Sequence, residues 1–576
     1  MGPLRGAYRM RTSAQDADCR ARAAALLENI ADYVSLHARR APGAVALVEH
    51  NTGETVTWKQ LDTAVDAFAA KLLASGFRKG DVLATSLPLL KEHVFLLLAC
   101  YRIGVVAAPL DLRLRAGELR ACLEKLQPKG YFFAGAPALM PVLREVVGGC
   151  RSVRHWVQFQ KEPDGILPGA TWVKDFTKGI KATYVKARLL GSVRRARREV
   201  GRRDGCLVIF TTGSTGSPKP ALLCHESILV QNVGLAVGFG LKEGDRLLVN
   251  LPPSHVGCTT ELLGTAIYEG LVSVLLHIFD AEKSLEAIEQ HRVTVVGQIP
   301  ALFNLEWAHR RYRDLDLSSL RAAIYGGQGV PRAFLDRLRE MAPEIGTGLG
   351  LTETSGFCTY TALGATADDL AEGIGFDSPL CPISIRAPLN ADGTAGRELP
   401  PGDVGEICFA GPQVFLGYLN DPEATAKAIS KDGICYTGDL GAYTERGLRL
   451  AGRAKLTIKP KGFQVFPGDV ENHVVGALEG RVSAAACVGV EHAVWAEAIV
   501  LFVERVAGQS VTPEDVMAAC AGIASYARPS HVELVESGAL PLNRVAKTDY
   551  VALKERAQEI VDGLRRQGKW DKRASA

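Results

Sequence analysis

The chain has 576 residues, 47% of them hydrophobic and 23% charged, an ordinary globular balance with ample core material. Its 67 basic and 63 acidic side chains leave a formal charge of +4, too small to argue for a nucleic-acid partner. Thirteen scattered cysteines make no C-x-x-C pair, which disfavours zinc ribbons and thioredoxin-type redox sites. Reduced, mostly buried thiols in a cytoplasmic protein are expected instead.

In chain order, residues 1–24 are basic, lack the apolar region of a secretory signal, and are expected to be disordered. A transit peptide, or a true start at Met10, are the alternatives. "GDVLATSLP" reads as a strand, followed by the helical "LLKEHVFLLLACYRIG". The longest apolar stretch starts at Val94, is broken by Arg102, and falls short of a membrane span. The segment 186–205, "KARLLGSVRRARREVGRRDG", is densely basic. It reads as a solvated helix or insertion, with steering of anionic ligands as the alternative. "CLVIF" (206–210) has the length of a buried strand. "VTVVGQIP" then "ALFNLEWAHRRYRD", and "LRAAIYGGQGV" then "PRAFLDRLREM", repeat the strand–turn–helix order. Pro331 is well placed as a first helical residue. This alternation means an α/β fold with largely parallel sheets, which bind ligands at the carboxyl ends of their strands. After about residue 380 the texture changes to shorter strands and hairpins, with "ERG" at one turn. From about Lys455 short strands mix with helices such as "PEDVMAACAGIA" and "YVALKERAQEIVDGLRRQ", which predicts a small separate α+β unit.

The loop after "CLVIF" carries the strongest chemical signal. It offers Thr211, Thr212, Gly213, Ser214, Thr215, Gly216 and Ser217, then Pro218 and Lys219. Glycines let backbone N–H groups converge on an anion, hydroxyls add donors, and the lysine adds a point charge. That is the chemistry of holding a polyphosphate. It is not a Walker A loop: Ser-Pro separates Gly216 from Lys219, and Pro220 stands where the Mg²⁺-binding hydroxyl belongs.

With this loop the sequence resembles the adenylate-forming superfamily of acyl-CoA synthetases, peptide-synthetase adenylation domains and firefly luciferase, and within it the carboxylate–CoA ligase branch. Further segments carry the resemblance in the family's order, over roughly residues 28 to 560. "YGGQGV" (325–330) is similar to the strand and glycine turn against the adenine, which implies roles for Gly326, Gly327 and Gln328. "GLGLTET" (348–354) is similar to the segment whose threonine touches the α-phosphate and whose glutamate holds Mg²⁺, here Thr352 and Glu353. "YTGDL" (436–440) would place Asp439 on the ribose hydroxyls. In "GRAKLTIKPKGFQVFPGDVE" (452–471), Arg453 would also touch ribose and Lys455 would sit at the hinge. Lys461, Gly462 and Gln464 would lie on the CoA side. "PLNRVAKTDY" (541–550) makes Lys547 the catalytic lysine. His255, in "LPPSHVGCTTELLG" (251–264), resembles the residue that flanks the substrate carboxylate; packing or capping is the alternative. No aspartate between Leu251 and Thr260 is there to pair an amino-acid ammonium, which favours an uncharged acyl group, and Gly257 would open pocket space. Leu349 stands where an aromatic usually stacks on adenine. Ala546 replaces a glycine, which would cost about 1 kcal/mol if φ there is positive.

The implied fold is α/β, with a large N-terminal domain (25–453) of parallel-sheet subdomains plus a small β-barrel-like part. A small mobile α+β domain (454–576) follows. The implied reaction joins a carboxylic acid to AMP from ATP, with Mg²⁺, and then transfers the acyl group to CoA. A separate carrier protein is the alternative acceptor; a luciferase-like oxidase and a non-adenylating nucleotide-binding protein are the rival readings. No membrane span and no nucleic-acid partner are expected, and the oligomeric state is not readable.

Overall fold

Strands buried on both faces lose the apolar–polar alternation and read as continuous apolar runs. Val82–Ser86, Val106–Pro109 and Gly130–Phe133 are of this kind, buried at every position. The computed structural model describes residues 13–161, 165–211, 218–543 and 548–571. In it these three strands form the centre of an eight-stranded sheet. Its order is Gly417–Tyr418, Lys219–Cys224, Gly205–Thr211, Val106–Pro109, Val82–Ser86, Gly130–Phe133, His155–Gln158, Thr171–Trp172. All neighbours from Gly205–Thr211 onward are parallel, and the first two strands fold back antiparallel.

A second sheet of seven strands runs Glu344–Thr347, Ala322–Tyr325, Val295–Gln298, Arg246–Val249, Val272–Leu275, Val45–Glu49, Glu54–Thr57, parallel except for the last hairpin. The short strands beyond residue 380 form a four-stranded antiparallel sheet, Ile383–Arg386, Gly405–Phe409, Cys435–Thr444 and Gly447–Arg453. Glu445 and Arg446 make its expected turn, and Gly447 opens the last strand. The C-terminal sheet is Val482–His492, Ala496–Arg505 and His531–Val535, with helices Pro467–Ala477 and Tyr550–Arg566. The fold is therefore α/β, with a parallel-sheet N-terminal part and a small C-terminal domain.

Arg102 explains why the long apolar run is a core helix. On helix Lys91–Ile103 it is 1% exposed and donates to Asp62 (2.9 Å), Asp66 (2.6 Å) and the Ala31 carbonyl (2.8 Å). No helix among the described residues is long and apolar enough to cross a membrane. All thirteen cysteines are free thiols, twelve of them buried.

Three expectations need correction. Residues 13–24 are not disordered: Ser13–Ala24 is a helix against His225–Gly238, with Cys19 fully buried and Arg22 paired to Glu269 at 2.5 Å. Pro331 is the cap before helix Arg332–Met341 rather than its first residue. The helix in "PEDVMAACAGIA" stops at Ala519.

Candidate active site

The phosphate-loop hairpin is built from strands Gly205–Thr211 and Lys219–Cys224, with Thr211 directly opposite Lys219. Thr212, Gly213, Ser214, Thr215 and Gly216 lie outside the described residues. Strand Gly417–Tyr418 pairs with the second arm of the hairpin. This brings the Tyr418 ring under Lys219, whose Nζ lies 5.0 Å from the ring centroid. The Tyr418 hydroxyl donates to Glu353 Oε1 at 2.6 Å. Burial, then the adjacent Glu353 carboxylate, push the phenol well above its ordinary value, so it remains a donor. Lys219 and Glu353, far apart in sequence, thus share one phenol. Sequence reasoning missed Tyr418, because a two-residue strand has no period to read.

Glu353 sits in the tight helical turn Thr352–Thr354, held from several sides. The Phe415 N–H donates to the Glu353 carbonyl (2.9 Å). The fully buried Gln413 amide donates to the carbonyls of Thr354 (2.9 Å) and Phe357 (2.7 Å). The Thr260 hydroxyl donates to the Ser355 carbonyl (2.7 Å). Such support fixes where a carboxylate and a hydroxyl point. Leu349 precedes this turn and is half-buried; its N–H donates to the Thr359 hydroxyl at 2.7 Å. Gly326 and the exposed Gly327 and Gln328 follow strand Ala322–Tyr325 at its carboxyl end, and Gly327 turns with φ +94°.

His255 opens a wide π-helical turn, Gly257–Leu262, a rare geometry found mostly at functional sites. Its Nδ1 accepts the Gly257 N–H at 3.0 Å, so the ring does cap. Gly257 does not open space: a Cβ there would lie 2.6 Å from Leu251 Cδ1 and 3.0 Å from His255 Nδ1. The turn also carries Glu261, one residue beyond the stretch read for acidic groups. Its carboxylate lies between Gly257 and Gly356, where added Cβ atoms would meet its oxygens at 3.4 and 2.7 Å. The turn therefore sets Glu261 against Gly356 and Thr260 against the Ser355 carbonyl, just after the Thr352–Thr354 turn.

Asp439 and Arg453 face each other across strands Cys435–Thr444 and Gly447–Arg453, with Arg453 Nε 3.0 Å from Asp439 Oδ1. Glu406 joins them from the next strand, accepting the Gly438 N–H at 2.9 Å. Burial, with Asp439 nearby, raises its carboxyl above the ordinary range. The sequence reads this stretch only as one of the short strands after about residue 380 and gives Glu406 no role. Beyond Arg453, Lys455, Lys461, Gly462 and Gln464 are exposed. Lys461 and Gly462 both have positive φ, 54° and 83°, and Lys461 Nζ lies 4.7 Å from the Trp495 ring centroid. Ala546 and Lys547 lie outside the described residues.

The sequence profile of the AMP-binding enzyme family matches residues 34–419, and that of its C-terminal domain matches residues 470–547. This chain belongs to the AMP-binding enzyme family. It is 31% identical over 503 residues to a feruloyl-CoA synthase from Amycolatopsis sp, covering 87% of this chain and 93% of that protein. An indoleacetate–CoA ligase from Aromatoleum aromaticum is 29% identical over 530 residues, covering 90% and 97%. In fold it is similar to ATP-bound MatB from Rhodopseudomonas palustris, with TM-score 0.74, 22% identity, and 92% and 99% coverage. This AMP-binding enzyme is an AMP-forming acyl-CoA ligase that uses ATP and CoA.

Proposed function

We propose that the site activates an uncharged aliphatic or aromatic carboxylic acid as its acyl-AMP and passes the acyl group to CoA. The observation that carries this reading is the Lys219–Tyr418–Glu353 linkage, which joins the polyphosphate loop to the turn expected at the α-phosphate. The acyl class rests on the lack of an aspartate between Leu251 and Thr260, and on relatives named for feruloyl and indoleacetate groups, both aromatic. The thirteen free thiols support a cytoplasmic location.

In the first step a carboxylate oxygen bonds to the α-phosphorus and the bond to pyrophosphate breaks. Charge gathers on the phosphoryl oxygens, so positioned cations and donors carry the rate. Lys219 and its loop hold the departing β- and γ-phosphates, and Thr352 offers a donor at the α-phosphate. Asp439, steadied by Arg453, accepts from the ribose hydroxyls. Glu353 suits Mg²⁺: among the described residues no cluster of three His, Cys, Asp or Glu could cage a metal. Mg²⁺ characteristically takes one or two carboxylates and fills its shell with phosphate and water. When bound, it neutralises phosphate charge. In the second step the CoA thiol attacks the acyl carbonyl and AMP leaves. Lys547, on the domain from residue 454, serves the first step. Rotation about Lys455 then brings Lys461, Gly462 and Gln464 beside the pantetheine arm.

Two half-reactions test this. Lys547→Ala should abolish ATP–pyrophosphate exchange yet still convert supplied acyl-AMP to the CoA thioester. Full exchange in that variant would overturn the assignment. Product analysis over a panel of acids, with and without CoA, names the acid; exchange without any thioester would point to a carrier protein.

A further inference from the structure

Between Lys178 and Arg198 the chain places eight Lys and Arg and no Asp or Glu. Helices Ile180–Leu190 and Ser192–Arg198, joined at Gly191, carry this segment. The first packs on helix Trp58–Ala74, with Ala187 buried and Thr183 and Tyr184 half-buried. Its opposite face is unusual. Ala182, Val185 and Leu189 follow at i, i+3 and i+7, which is one stripe of a helix. All three are exposed; Val185 is 54%, Leu189 82% and the adjacent Leu190 60% open to solvent.

Helical spacing sets Lys181 and Arg188 on one flank of the stripe and Lys186 on the other. Exposed Arg194, Arg195 and Arg198 continue the cations along the second helix. Among the described residues none of these six has an ion-pair partner, whereas the inward Arg197 pairs with Asp32 and the nearby Arg202 with Glu28. Single exposed leucines need no explanation, but an apolar stripe rimmed by unpaired cations does.

We propose that this face docks on an anionic lipid surface. A bilayer offers both phases the helix presents: a hydrocarbon boundary for Val185, Leu189 and Leu190, and a phosphate layer just above it for the flanking cations. Long Lys and Arg side chains reach back to phosphate while their neighbours insert. A nucleic acid would satisfy the cations and leave the leucines in water, and no exposed aromatic stands on this face to stack a base. A second copy would set like charges against each other. The net charge of +4 gives the chain as a whole little general attraction to an anionic surface.

The test uses the full chain in sedimentation with phosphatidylcholine vesicles containing phosphatidylglycerol, and with phosphatidylcholine alone. Binding should need the anionic lipid and weaken with salt. Leu189→Ser combined with Leu190→Ser should weaken it about tenfold. Lys186→Gln combined with Arg188→Gln should weaken it about fivefold per cation removed. Both pairs should keep wild-type acyl-AMP formation with a water-soluble acid. No binding to anionic vesicles, or equal binding to neutral ones, would overturn the proposal. So would binding that needs the cations but not the leucines, which marks a polyanion site. A change of oligomeric state in the serine variant would also overturn it and assign the face to a second copy.

Discussion

Tyr418 holds the phosphate-loop lysine and the Glu353 carboxylate in one arrangement, and its hydroxyl is the only atom it would lose in Tyr418→Phe. A hydrogen bond to a charged acceptor is worth about 1.5–3 kcal/mol. Here Glu353 Oε1 is the acceptor at 2.6 Å, and the ring beneath Lys219 would remain. ATP–pyrophosphate exchange by Tyr418→Phe is therefore expected to fall by about tenfold, mostly in kcat/KM for ATP. Thioester formation from supplied acyl-AMP should stay close to wild type. An equal loss in both half-reactions would mean that the hydroxyl supports the fold and not the phosphate site. The neutral partner matters too: raised well above its ordinary value, the phenol does not compete with Glu353 for a cation.

At the scale of elements, helix Lys91–Ile103 shows how one charged residue fits a core position. Arg102 serves Asp62, Asp66 and the Ala31 carbonyl through one planar fork. Arg102→Met should destabilise by about 2 kcal/mol, below the 3–5 kcal/mol of a fully buried pair because both aspartates reach solvent. Arg102→Lys should recover little, since one ammonium cannot meet three divergent acceptors. Urea midpoints measure both, and a lysine variant as stable as wild type would refute the fork. The same helix shows what was legible in the sequence. Parallel strands and their helices announce themselves as apolar runs between glycine turns, so the parallel sheets and the strand before the phosphate loop were readable, while the antiparallel return strand Lys219–Cys224 was not. Tyr418, Gln413 and Glu406 were not, because each acts through a neighbour distant in sequence. Helix Ser13–Ala24 was hidden for a related reason: its polar sequence has only two buried residues, Asp16 and Cys19, and the contacts that order it come from elsewhere in the chain.

Across the whole molecule, two buried carboxyls sit in different domains. Glu306 accepts from Ser284 (2.5 Å) and from Gln298 (2.6 Å), which in turn accepts from Asn250, so it ties together the ends of two parallel strands. Glu471 accepts from the Tyr550 hydroxyl (2.9 Å) and the Cys487 N–H (2.8 Å) in the C-terminal domain. Burial pushes each up to about 7. A carboxyl raised in the fold keeps its proton while the unfolded chain has lost it. Its contribution is thus complete below about 4.5 and declines as pH rises through about 7. Two buried histidines oppose this below their ordinary value. Burial holds His93 down to about 4 and His225 to about 3, so unfolding takes up protons as pH falls below 6.5. The wild-type profile between pH 4.5 and 6.5 therefore comes out flatter than either set alone, and variants separate them. Glu306→Gln should gain thermal stability relative to wild type steadily from pH 5 to pH 7.5 and then level off, because a glutamine has no proton to lose. Glu471→Gln should do the same for the C-terminal domain. Scanning calorimetry across pH reads both. A difference between Glu306→Gln and wild type that stays constant with pH would show that Glu306 is already ionised in the folded protein.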